Sequence, residues 1–258
     1  LMFARPTAER IRDHSGELLI CSDITVIFDK ASGRYFQVPT KKLPAGIRNN
    51  AVDVIARFST VFAWGTVISG ILLLITNMVF SFFGQTTDVS HRFPLLFTIY
   101  IIASVFIHEC AHIFALKICG QTFDKVGFKL HYGILPAFYV RMNKSNLLLW
   151  TDKVVVHCAG IWINLAINVV LFVLNYRFWQ SADINVSLEF AVVTLMANAL
   201  PVLSSDGFRV LLALSKVNEF RERTRNPKWI RAIRILSWVI VTIYGIYMVI
   251  SFYLELGL

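Results

Sequence analysis

Residues Phe58–Phe83 form an apolar, uncharged run longer than the roughly 20 residues a helix needs to cross the hydrocarbon core of a bilayer. Comparable runs follow at Pro94–Cys119, Val154–Tyr176 and Ile235–Leu254, with a shorter one, polar at its end, at Leu188–Leu203. Lipid offers no partner for backbone polar groups, so each run has to close its hydrogen bonds within itself as a helix. With 56% hydrophobic residues and a mean hydropathy of +0.62, the chain is too apolar for a soluble globule. The expected fold is an all-α polytopic membrane protein with about five transmembrane helices.

Two stretches fall outside that pattern. Residues 1–57 are mixed and charged, with no apolar core of signal-peptide kind, and are expected as a cytosolic arm preceding a membrane domain at 58–258. In the arm, alternating Ile24, Val26 and Phe28, then Asp29 to Gly33, then Arg34 to Val38, read as a β-hairpin with glycine in its turn. Such an appendage serves either as a docking surface for substrate or partner, or as a cap on the membrane domain. The 120–153 connection carries weakly alternating segments, Val126–Tyr132 and Ala137–Arg141, on either side of Pro136; these are expected as a membrane-associated, strand-like loop.

The formal net charge of +9 could suggest nucleic acid, but its distribution fits topology instead. Lysine and arginine concentrate in the arm, in the 120–153 connection and in 209–234, whereas the two opposite loops hold only Arg92 and Arg177. Five spans with the amino end in the cytoplasm satisfy the positive-inside rule at every loop, so a nucleic-acid partner loses its main support and the bilayer becomes the expected surrounding. Cys21, Cys110, Cys119 and Cys158 show no C-x-x-C spacing and read as reduced and structural.

The chemistry lies in the second run. His108-Glu109-Cys110-Ala111-His112 is an H-E-x-x-H pattern: histidines four apart share a helix face and can bind one zinc ion, and Glu109 beside them can take a proton from metal-bound water. Ionisable groups in a membrane-length segment are costly unless they face a partner or a wet cavity, so the cluster reads as a functional site. A catalytic zinc wants three protein ligands and one open position. The fourth run ends at Pro201 and is followed by Asp206, at a depth compatible with the histidines, which makes Asp206 the candidate third ligand.

Here the chain resembles the site-2 protease family of intramembrane zinc metalloproteases, whose signatures are H-E-x-x-H and an N-x-x-P followed by D-G; Asn198, Pro201, Asp206 and Gly207 match the second. It looks closest to the bacterial peptide zinc metalloprotease branch, where Leu135–Tyr139 and Ser205–Phe208 are also familiar. Three positions depart from those patterns: Ser205 stands where a bulky apolar or aromatic residue is common, Ile161 where proline follows Ala159-Gly160, and Arg141 where the branch often has aspartate. The resemblance implies one zinc per chain, hydrolysis of a peptide bond near the cytoplasmic face, a peptide or membrane-protein substrate, and residence in a bacterial plasma membrane.

Two further residues have two readings each. Asn198 is either hydrogen-bonding glue between helices or a donor to the developing oxyanion and substrate backbone. His157 is an interfacial histidine or an oxyanion donor. Asn164 and Asn168 share a helix face and read as glue. Two rival functions remain open: proteolysis of a single-span regulator, and a zinc-binding transport or immunity protein without hydrolysis, against which the retained Glu109 argues.

The charge pattern makes a topology prediction. Single cysteines placed near Arg92 and Arg177 should react with a membrane-impermeant maleimide in intact cells, and those near Lys129 and Arg223 only after lysis; outside labelling near Lys129 would reverse the orientation.

Overall fold

The alternation in the arm produces the expected hairpin, β3 (Ile24–Asp29) with β4 (Arg34–Pro39), in the register Asp29 opposite Arg34 and Ile24 opposite Pro39. The Asp29 carboxylate accepts from the Ala31 and Ser32 amides and the Ser32 hydroxyl, and Gly33 takes a positive φ of 62° that a side chain would resist. The hairpin is only part of a larger sheet. With β1 (Thr7–Arg12), β2 (Gly16–Ile20) and β5 (Val52–Ile55) it forms five antiparallel strands in the order β4-β3-β2-β1-β5. The arm is therefore more than the expected hairpin: a mostly helical chain carries a five-stranded sheet. Strand β1 escapes a pattern search because charge dominates it, yet Arg10 and Arg12 pair with the buried Glu17 on β2 at 3.3 and 3.0 Å.

The computed structural model describes residues 4–83, 93–131, 135–201, 205–217, 227–233, 235–237 and 239. Helices α1 (Thr60–Phe83) and α2 (Phe93–Ile118) precede a two-stranded antiparallel pair, β6 (Lys125–His131) and β7 (Leu135–Arg141), which bears out the strand-like loop and places Pro136 inside β7. Helix α3 (Trp150–Leu174) runs into a π turn at Asn175–Trp179, and α4 (Ala182–Ala199) and α5 (Asp206–Leu214) follow. Three helices among the described residues are long and apolar enough to cross a membrane: Thr60–Phe82, Leu95–Ile118 and Trp150–Trp179. The expected fourth span becomes α4, which starts six residues early and carries Asp183, Asn185 and Glu189, so it is not among the three. The expected fifth span lies almost wholly outside the described residues.

Helix α3 is the hub. It packs against α1, α2, α4 and α5. The apolar contacts carry polar cross-links: Trp162 donates to Ser69 on α1 at 3.0 Å, Asn77 to the Leu165 carbonyl at 3.0 Å, and Asn164 to Ser104 on α2, while the Tyr100 hydroxyl donates to Asn168. Asn164 and Asn168 thus glue α3 to α2, as their shared face suggested. Between α1 and α2, with α3 as back wall, runs an apolar groove of about 940 Å³ lined by Gly65, Ala111, Phe114 and Trp162 among others.

The sheet sits at the end of the bundle where α1 starts, α2 ends and α3 starts. Ala8, Leu19 and Val26 bury against Leu147 and Leu149, which lead into α3. Arg10 donates to the Leu147 carbonyl at 2.9 Å, and Gln121, just past α2, donates to Glu17 at 3.2 Å. Asp152, buried in the first turn of α3, accepts the backbone N–H groups of Arg57 and Phe58 at 3.0 and 2.9 Å, where the chain leaves the sheet for α1. These contacts match the capping reading of the arm. All four cysteines are free, and burial raises the Cys21 thiol above its ordinary range.

Replacing Asp152 by alanine leaves two backbone donors without their charged acceptor. Asp152→Ala should lower stability by about 2–4 kcal/mol and speed proteolysis around Arg57, read by thermal unfolding in detergent and limited digestion.

Candidate metal centre

The four-residue spacing on α2 turns His108 and His112 toward α3, and the first residue of α5 brings Asp206 to meet them. The two Nε2 atoms are 3.0 Å apart, and Asp206 Oδ2 lies 2.9 Å from His108 Nε2 and 3.2 Å from His112 Nε2. All three residues are buried. His112 Nδ1 donates to the Val156 carbonyl at 2.6 Å; because a carbonyl can only accept, that bond fixes the tautomer and leaves the Nε2 lone pair facing the cluster.

Each partner is braced. Ser205 caps α5 by accepting from the Phe208 amide at 3.1 Å and donates to the Leu200 carbonyl at 2.5 Å, so the residue that departs from the familiar pattern serves as an N-cap. Asn198 clamps Asp206 twice: its amide donates to Oδ2 at 2.9 Å, and its carbonyl accepts the Asp206 backbone N–H at 3.2 Å. Leu200 is extended, as a residue before proline prefers, and ends α4 ahead of Pro201. A Cβ on Gly207 would overlap the Ala199 carbonyl, so the turn between the helices closes only over glycine.

Gly160 on α3 lies against the cluster and was not singled out from the sequence as a site residue. A Cβ there would fall 2.5 Å from His112 Nε2 and 2.6 Å from two atoms of the His108 ring. The signal available was a glycine within a long apolar helix, which costs about 1 kcal/mol relative to alanine and asks for a close approach in return. Two imidazole nitrogens and a carboxylate oxygen that converge within 4.8 Å of one another, beside a cradle that a methyl group would fill, fit a divalent cation. Two histidines and one carboxylate are a donor set suited to zinc, and leave a fourth position open.

Glu109 is half-buried beside the cluster and accepts the Val140 backbone N–H at 3.1 Å, so β7 reaches the helix that carries the motif. No spacing in the sequence signals this contact. His157 does not join the cluster. It is buried on α3, its Nδ1 lacks a hydrogen-bond partner, and it lines a cavity of about 460 Å³ next to the site.

The comparisons with known proteins agree with this geometry. Residues 96–194 match the family model described as Peptidase family M50. A Bacillus subtilis (strain 168) protein named "Putative peptide zinc metalloprotease protein YydH" is 29% identical over 232 residues, which cover 88% of this chain and 92% of the relative. No solved structure matches the chain. Both matches support a metallopeptidase in a membrane, and zinc as its metal.

Metal content tests the centre. Purified protein should carry about one zinc per chain by mass spectrometry, and His108→Ala, His112→Ala and Asp206→Ala should each lose most of it. Gly160→Ala should also lower occupancy without removing a ligand; full occupancy in Asp206→Ala would take that residue out of the site.

Proposed function

We propose that this chain, a member of the site-2 protease family (peptidase family M50), is an intramembrane zinc metalloendopeptidase that cuts a peptide precursor or membrane-associated peptide near the cytoplasmic face of a bacterial plasma membrane. The observation that carries the reading is a carboxylate, Glu109, next to two converging histidines without being one of the converging ligands.

In this reading His108, His112 and Asp206 hold the zinc, which when bound acidifies water and polarises the scissile carbonyl. Glu109 takes the proton of the attacking water and returns it to the leaving amine. Its hydrogen bond from Val140 keeps the carboxylate from wandering. Asn198 works by orienting Asp206, and one of its two amide hydrogens is spent there; the other could still serve the substrate. A helical peptide hides its carbonyls in its own hydrogen bonds and has to unwind before it can be cut. Strands β6 and β7 offer an edge on which the unwound segment can pair.

The groove between α1 and α2 supports a second substrate class, a single-span regulator entering from the bilayer, because it is apolar and residues of the motif helix, Ile107, Cys110, Ala111 and Phe114, form one wall.

Glu109→Gln keeps the size of the side chain but cannot accept the proton. Zinc content should stay near one per chain while turnover falls by roughly two to four orders of magnitude. Processing at the unaltered rate would sink the peptidase reading in favour of zinc-dependent transport or immunity.

A further inference from the structure

The cavity of about 460 Å³ beside the candidate site has a one-sided charge. Arg141, Lys153, His157 and Arg209 line it with Ser145 and Asn146, and no aspartate or glutamate does so among the described residues. Neither Arg141 nor Arg209 forms an ion pair among the described residues, and both side chains are exposed. His157 is different: it is buried, with an Nδ1 that has no partner, so a polar group is wanted inside the cavity as well as at its mouth.

Each of these groups comes from an element that also holds part of the catalytic constellation. Arg141 directly follows Val140, whose N–H binds Glu109. Arg209 is one helical turn beyond Asp206 on α5, and His157 one turn before Gly160 on α3. One turn separates side chains by about 5–6 Å, and one extended peptide residue spans about 3.3 Å, so a peptide at the centre reaches the cavity within roughly one to three residues of the bond being cut. A volume of this size belongs to the range of small-ligand sites.

Resting on the peptidase reading, we propose that this cavity is a subsite for a carboxylate of the substrate, held by Arg141 and Arg209 and by the Nδ1 of His157, so that the enzyme prefers peptides bearing an acidic side chain or a free carboxyl terminus close to the scissile bond. A guanidinium pair suits the planar, two-oxygen carboxylate, and charge-assisted bonds at a half-enclosed site are strong enough to select.

The test uses full-length Glu109→Gln protein in detergent, so that binding is read without cleavage. Four alanine-based pentapeptides with an uncharged methoxycoumarin label on the amino end serve as probes: one with an amide end, one with a free acid end, and two amide-ended peptides carrying glutamate or glutamine at the third position. Anisotropy should show one or both carboxylate probes binding about tenfold tighter or more than the neutral amide, and which one does so separates a terminal from a side-chain carboxylate. Adding Arg141→Gln and Arg209→Gln together should remove that advantage and leave neutral-probe binding unchanged, while the two lysine substitutions should retain part of it. The lysine pair also guards against misfolding of the glutamine pair. Equal binding of all four probes before those substitutions, or an advantage that survives the double glutamine change, overturns the subsite. Either result stands apart from the turnover of Glu109→Gln with an intact cavity, which alone decides whether the chain is a peptidase.

Discussion

Two imidazoles and a carboxylate in an apolar helix bundle are tolerable only if they satisfy one another or share a cation, and much of the local structure follows from that need. Asp206 is far from the histidines in sequence, so α5 has to begin at one exact place. Pro201 ends α4, Ser205 caps α5, Gly207 lets the two helices close, and Asn198 reaches across the gap to fix the carboxylate. On the other side, the Val156 carbonyl fixes the His112 ring, and the missing side chain at Gly160 leaves the space the ligand atoms face. A candidate ligand set on two separate segments is held more firmly by such outer partners than by its own spacing.

Helix α3 makes this possible because it packs against α1, α2, α4 and α5 and supplies both the Val156 carbonyl and Gly160. Its first turn is in turn bound to the sheet: Asp152 accepts the backbone at Arg57 and Phe58, and Leu147 and Leu149 lie in the sheet's core. The sheet is therefore not a loose appendage. It fixes the end of α3 from which the loop strands β6 and β7 and the motif helix are also reached, Gln121 tying the end of α2 to Glu17.

The sequence was most legible where one rule governs a stretch. Long apolar runs mark α1, α2 and α3 to within a few residues, and H-E-x-x-H with a distant D-G marks the three converging residues. It was least legible where charge is compensated by partners distant in the chain. Arg10 and Arg12 make β1 look like a solvated arm, although Glu17 pairs with both, and Asp183 and Glu189 mark the polar character that keeps α4 from reading as a full span. Ser205 looked like a departure from the expected pattern because a cap is a backbone role, and the residue type alone does not state which backbone it caps.

The bond between Glu109 and the Val140 N–H links the motif helix to the strand in a way that neither motif implies. That N–H is turned to the carboxylate, and so is not spent on the β6 partner opposite it, Val126. If a substrate strand pairs along β7, its carbonyls compete for this donor. The bond engages only Oε2 of Glu109, so under the proposed function the carboxylate keeps lone pairs for the proton of the attacking water while Val140 holds it in place. Under the proposed function, substrate pairing along β7 and the orientation of Glu109 would meet at one backbone position, Val140, which gives a strand beside the motif helix a role.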